Sequence, residues 1–199
     1  MSKGSNWTSR TVKDKATDKT VATLRHKTIT KAEYTTFKAT QAVKRQGTFG
    51  ARQTAKVTAG GKTVFQAMAS ATLRKRMAGA KRDALDKVPV INPGFVPGTN
   101  NKSHLIPDTL GGPSTQNNLI NEERTLNLSA HKPIENRIAK NFAAHTPAGD
   151  KQPLKRRGSM VVTDEFENDV SMKRTYMVHT DAGNGQPERF DQYTMTRKK

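Results

Sequence analysis

Between residues 101 and 138 the chain sets out one histidine, several side-chain amides and a carboxylate at short intervals. The histidine is His104, followed directly by Leu105-Ile106. Leu110-Gly111-Gly112 comes next, then Asn118-Leu119-Ile120, Leu126-Asn127 and Ile134-Glu135-Asn136. Neutral imidazole has a pKa of about 6.5, so His104 can take a proton from water. The amide oxygen of Asn127 suits Mg²⁺, a hard cation that keeps most of its waters. Side chains on a helix lean toward its N-terminus, so a helical Glu135 reaches back toward Asn127. A proton acceptor, a neutral oxygen ligand and a carboxylate are the parts used to hydrolyse a phosphodiester with one hard metal ion. The same residues also have plainer uses. Asn127 can serve as a turn or cap residue, and Glu135 as a surface carboxylate matched to a helix dipole. His26, His145 and His179 read as structural or exposed.

Positioning these groups takes a strand, a loop, a second strand and a helix. Polar turn residues before His104 and apolar ones after it predict a short strand through His104-Leu105-Ile106. A loop should run from Leu110-Gly111-Gly112-Pro113 to Asn117, and a second strand over Asn118–Asn121. Ser129 is expected to cap a helix with Pro133 in its first turn. Ile134, Ile138 and Phe142 recur every fourth residue and give that helix an inward face. Upstream, Val64, Met68, Leu73, Met77 and Leu85 share a stripe, which predicts a basic amphipathic helix over Thr63–Leu85. Val88 to Gly94 reads as a short extended piece. Downstream, strands are expected at Gly158–Thr163, Met172–Thr180 and Arg189–Thr196. Residues 1–62 are rich in Thr and Lys, with Leu24, Ile29, Tyr34, Phe37, Val43 and Phe49 scattered among them. Such a segment predicts an arm that is disordered or holds short helices, the best at Thr30–Gln46. The expected class is α+β. A basic arm (1–62) precedes a domain (63–199) with its core at about 101–145 and a small antiparallel sheet.

Composition narrows the function. The chain of 199 residues has a net charge of +18. Residues 1–90 hold 20 Lys/Arg against 5 Asp/Glu, and residues 91–199 hold 15 against 12. A basic half beside a nearly balanced one points to a polyanionic partner, with nucleic acid first. The absence of cysteine excludes disulfides, zinc–thiolate sites and thiol nucleophiles. No stretch approaches the roughly 18 apolar residues of a membrane span, so no membrane insertion is expected. The first fifteen residues carry no apolar run, so no ordinary secretory signal is expected.

In order and spacing, these five words resemble the DNA/RNA non-specific endonuclease family of the ββα-metal, or His-Me finger, superfamily. The nuclease domains that end bacterial polymorphic toxins are similar in the same way. The family has Asp-Arg-Gly-His opening His-Leu-Ile, a Gly-Gly loop, an Asn-Leu word, Leu-Asn, and a helix bearing Glu eight residues on. The resemblance implies that His104 is the general base, Asn127 the direct ligand of one Mg²⁺ or Mn²⁺, and Glu135 a carboxylate holding metal-bound water. Asn118 resembles the family's supporting amide. Three departures stand out: Asn101-Lys102-Ser103 in place of Asp-Arg-Gly, Glu122 in place of Gln, and His131 in place of a bulky aromatic. Lys102 keeps the charge of the family's arginine but not its bidentate fork, so Arg124, Lys132 or Arg137 are further candidates for phosphate contact. His131 is a secondary site candidate. The implied activity is cleavage of DNA, with RNA as a further substrate. The implied setting is a toxin or effector with a cognate immunity protein and a delivery machinery. Two other classes remain open: a non-catalytic nucleic-acid-binding protein on a degenerate nuclease fold, and a structural component of a phage or injection particle.

Overall fold

The computed structural model describes residues 7–57, 63–73, 85, 88–92, 100–146, 158–167 and 170–198. Seven strands form one antiparallel sheet: β1 (Thr8–Lys13), β2 (Thr20–Thr28), β3 (Phe49–Val57), β4 (Thr63–Thr72), β7 (Gly158–Glu167), β8 (Val170–Thr180) and β9 (Arg189–Arg197). Their spatial order is β1-β2-β9-β8-β7-β4-β3. A separate two-stranded ladder pairs β5 (Asn100–His104) with β6 (Leu119–Glu123). Helix α1 (Lys31–Gln41) follows β2. A short turn, α2 (Arg124–Leu126), leads through a π-helical turn at Asn127–His131 into α3 (Lys132–Ala144). The architecture is α+β, as the sequence implies. Among the described residues no helix is long and apolar enough to cross a membrane.

The sheet buries a different partner on each face. On one, Leu24, Ala67, Ala69, Ala71, Met160, Val162, Tyr176, Val178 and Met195 share a core with Leu105, Ile106, Ile120, Leu126, Ile134, Ile138 and Phe142. Each large side chain buried here contributes roughly 1.5–3 kcal/mol. This face therefore carries the β5–β6 ladder and α3, and with them the residues of chemical interest. On the other face α1 packs Tyr34 and Phe37 against Ile29, Met177 and Phe190. A capping box starts α1: Glu33 N–H donates to Thr30 Oγ1 at 3.1 Å, and Thr30 N–H donates to Glu33 Oε2 at 2.7 Å.

Four expectations are corrected. Thr63–Leu85 does not begin as a helix; its first part is β4, hydrogen-bonded between β3 and β7. Ala67, Ala69 and Ala71 alternate toward the core while Met68 and Ser70 are buried on the opposite face. A strand buried on both sides shows no apolar–polar alternation, and its small inward alanines leave the larger residues to imitate a helical stripe. Residues 74–84, which held the rest of that expected helix, lie outside the described residues.

Residues 7–57 are not a tail. They form β1, β2, α1 and β3, with β2 paired to β9 and β3 to β4, so the sheet runs across the expected boundary at residue 62. Scattered apolar residues suffice here because the C-terminal strands supply the rest of the core. The threonines fit pleated strands. The helix expected at Thr30–Gln46 is present but shorter. It ends where Ala42 turns left-handed at φ 46°.

Ser129 caps nothing: helical structure already begins at Arg124. Pro133 sits inside this run, lacks an N–H and crowds the carbonyl four residues back, which is that of Ser129. The chain widens into a π turn there, and Arg10 of β1 donates to the Ser129 carbonyl at 3.2 Å.

Finally, the first expected strand ends at His104 rather than continuing through Ile106. The three C-terminal strands are found, each longer than expected. Of the extended piece expected at Val88 to Gly94, residues 88–92 are described and form no strand, and residues 93–94 lie outside the described residues. Ile91 N–H donates to the Leu119 carbonyl at 2.8 Å, and Asn92 exchanges two hydrogen bonds with the Asn121 backbone.

Candidate active site

His104 is the last residue of β5 and pairs with Leu119 of β6. The chain then leaves the ladder in a tight loop that Asn118 fastens. The fully buried Asn118 side chain accepts from Ile106 N–H at 2.8 Å and donates to the Ile106 and Pro113 carbonyls at 3.0 and 2.9 Å. Leu105 N–H donates to the Asn118 carbonyl at 2.9 Å. Both glycines of the loop are needed. Gly111 is left-handed at φ 89°, and a Cβ on Gly112 would collide with the Ile106 carbonyl and stand 2.9 Å from Asn118 Nδ2. The loop returns Ser114 to the strand end, where its hydroxyl lies 3.4 Å from His104 Nε2.

A cleft of about 190 Å³ opens between this strand end and the helix. His104, Ser103 and Lys102 line it from β5, Pro107, Asp108, Thr109 and Ser114 from the loop, and Asn127, Leu128, Lys132 and Glu135 from the helix. Three residues singled out in the sequence, His104, Asn127 and Glu135, thus meet in one cleft. Glu135 is nearly enclosed, with 12 % of its side chain exposed, and lies 3.9 Å from the Lys132 ammonium. Lys102 also lines the cleft, but its ammonium donates to the Leu85 and Val88 carbonyls at 2.5 and 2.7 Å. Asn118 does not line the cleft; it stands behind it as the fastener of the loop. Arg124 and Arg137 are exposed and do not line it either. Arg137 lines a separate groove with Arg10 and Tyr193.

Among the described residues, no three His, Cys, Asp or Glu side chains gather as a metal cluster. The cleft offers instead the Asn127 amide oxygen and two carboxylates, Glu135 on the helix and Asp108 in the loop. That sparse oxygen set fits Mg²⁺, which takes one or two protein oxygens and keeps waters in its other positions.

Beneath the cleft lies a buried polar network, and only two of its members are conspicuous in the sequence. Asn127, His131 and Glu135 are spaced by four along the helix, and the central one turns inward, fully buried. His131 Nε2 lies 2.7 Å from Glu122 Oε1 on β6, and its Nδ1 lies 2.8 Å from the Tyr176 hydroxyl on β8. Arg174, also fully buried, donates through Nε to Asp164 Oδ2 at 2.8 Å and reaches the Tyr176 hydroxyl at 3.2 Å. It approaches Glu122 at 3.5 Å and Ser103, next to His104, at 3.4 Å. Ser171 donates to the other Asp164 oxygen at 2.6 Å.

Burial and charge oppose each other in this network. Burial pushes the Glu122 carboxyl up, but His131 and Arg174 outweigh it and leave it below the ordinary carboxylate value. Burial works against the Arg174 guanidinium, yet Asp164, Tyr176 and Glu122 hold its pKa well above the usual one. Burial drives the Tyr176 phenol far above its ordinary range, and the Glu135 charge adds to the effect. The phenol therefore stays protonated, and the His131 ring is held at both nitrogens, by Tyr176 and by Glu122. Two of the three departures from the family words, Glu122 and His131, are thus hydrogen-bonded to each other.

Residues 63–149 match the family model described as DNA/RNA non-specific endonuclease. No curated protein and no solved structure matches the chain. The matched stretch contains every residue of the strand–loop–strand–helix unit that builds the cleft, and over that stretch the chain is similar to the DNA/RNA non-specific endonuclease family.

Proposed function

We propose that the chain is a metal-dependent endonuclease that hydrolyses phosphodiester bonds of DNA, and of RNA as a second substrate, with little sequence preference. The observation that carries this reading is the single cleft shared by His104, Asn127 and Glu135. In it, β5, β6 and α3 serve as the ββα-metal core of the His-Me finger superfamily. His104 accepts a proton from the attacking water, with the Ser114 hydroxyl beside its Nε2 to orient the ring. Asn127, through its amide oxygen, and Glu135, through water, would hold Mg²⁺ or Mn²⁺, which when bound offsets charge on the phosphate and the leaving oxygen. Glu135 orders water on the helix side of the cleft. Lys102 shapes the wall and adds a positive charge there, its ammonium anchored on two carbonyls. The likeness to toxin tips extends the proposal to an effector, delivered by a specialised system and restrained by a cognate immunity protein in the producer.

The test is incubation of the purified protein with plasmid and with RNA, in Mg²⁺ or in EDTA. Cleavage should require the metal. His104→Ala should lower turnover by about 10²–10⁴-fold, the usual range for a lost general base, with its melting transition unchanged. Cleavage at the wild-type rate in EDTA, or by His104→Ala, would refute the reading.

A further inference from the structure

The buried network joins β5 and the helix, which line the cleft, to β6 and β8 behind them. Ser103 belongs to β5 and precedes His104; Glu122 belongs to β6; His131 lies on the helix between Asn127 and Glu135; Tyr176 and Arg174 belong to β8 of the large sheet. All five residues are at most 2 % exposed. The π turn at Asn127–His131 widens the helix where Asn127 emerges, so regular i→i+4 bonding does not fix that residue's direction. Another constraint must set it. The ring of His131 is held at both nitrogens, by a strand of the small ladder on one side and a strand of the large sheet on the other. A ring fixed at two points cannot rotate about the helix axis, and the residues one turn before and after it move only with it.

We propose that His131 and Glu122, with Tyr176 as the third contact, are positioning residues that set the rotation of the helix so that Asn127 and Glu135 face His104. The inference rests on the nuclease reading of the cleft. Conserving one contact at a time should then matter more than conserving volume. His131→Leu takes from the Glu122 carboxylate its contact at 2.7 Å, leaving Arg174 at 3.5 Å, and takes from the Tyr176 hydroxyl its contact at 2.8 Å. His131→Gln can still donate to Glu122. Tyr176→Phe removes one hydroxyl and changes the packing least.

The experiment measures kcat and KM on duplex DNA and Mn²⁺ affinity by electron paramagnetic resonance, with a thermal melt of each variant. His131→Leu should lower kcat and weaken Mn²⁺ binding by about 10–100-fold, the usual cost of removing a residue that orients metal ligands. Its KM should stay within about twofold, because no group that contacts substrate is lost. His131→Gln should recover most of the loss. Tyr176→Phe should lie between and decides the matter if His131→Leu does not fold. In the double variant Glu122→Leu/His131→Leu, the effect should be no worse than that of the poorer single change. His26→Leu is the matched control. It breaks a second buried histidine–carboxylate pair, His26 Nε2 to Asp191 Oδ1 at 2.8 Å, which has no contact with the cleft. It should cost stability and leave kcat and Mn²⁺ affinity alone. A wild type that cuts DNA and binds Mn²⁺, with Tyr176→Phe and His131→Leu matching it, overturns the inference alone. So does a His26→Leu loss of equal size. A wild type that neither cuts nor binds Mn²⁺ overturns the nuclease reading, and this inference with it.

Discussion

Asn118 satisfies three backbone groups with one side chain, and all three lie in the loop that starts beside His104. Asn118→Ala strands them inside the protein, which should cost on the order of 3 kcal/mol in a urea melt. Turnover should fall too, because the strand end that carries His104 loses its fastening. Glu122 makes a different prediction, one that depends on pH. Its carboxyl lies below the ordinary value in the folded chain, so the unfolded chain binds its proton first. The stability it contributes is present above about pH 4.5 and is lost as the pH falls through the folded value. Glu122→Gln should therefore flatten the acid limb of the stability–pH curve by lowering stability at neutral pH while leaving acid pH less affected. An acid limb as steep as the wild type's would remove Glu122 from that role. At this scale the grouping of His104, Asn127 and Glu135, which share one cleft, was legible because few residue types can serve the chemistry their spacing suggests. Glu122 and His131 were visible only as departures from the family words. Arg174, Asp164 and Tyr176 were not legible, since Tyr176 meets His131 across 45 positions and Arg174 meets Ser103 across 71. Sequence spacing carries no trace of such contacts.

Among the elements, the loop between β5 and β6 is the least tolerant. Gly112→Ala places a methyl group against the Ile106 carbonyl, and backbone cannot yield as a flexible side chain does. The variant should lose activity together with stability, which near-ultraviolet circular dichroism and a cleavage assay read side by side; a fully active Gly112→Ala would show that the loop can move aside. Helix α1, on the opposite face, behaves independently. Thr30→Ala removes its N-cap and should cost about 1 kcal/mol without altering cleavage. The C-terminal strands were legible from alternation of large residues such as Tyr176 and Val178. The strand at Thr63–Thr72 was not, because its inward residues are alanines, which favour helices in isolation and carry little hydrophobic contrast. The helix through Asn127 was placed too late because Ser129 and Pro133 imitate a start signal; here they mark a widened turn within a helix already under way.

For the molecule as a whole, the N-terminal third is part of the scaffold. A chain beginning at residue 63 would lack β1, β2, α1 and β3 and would leave β9 and β4 with unpaired edges. It should be insoluble or unfolded, as size-exclusion chromatography and circular dichroism would show; a monomeric, active fragment would restore the idea of a separable arm. The sequence concealed this because a segment without a core of its own looks like a tail until its partner strands are known, and those lie at the other end of the chain. The pairing of β2 with β9 brings His26 against Asp191 across 165 positions. Contacts that distant close late, because a large loop must be ordered before any ladder bond rewards it. Folding should accordingly be slow. The response to mechanical force should also differ between the two ends. Tension on the N-terminal side peels β1 from the edge and then β2, one ladder at a time. Tension on the C-terminal side meets β9 gripped by neighbours on both flanks, and must shear two ladders at once. A chain drawn through a narrow pore would thus unravel far more readily when its N-terminal end leads.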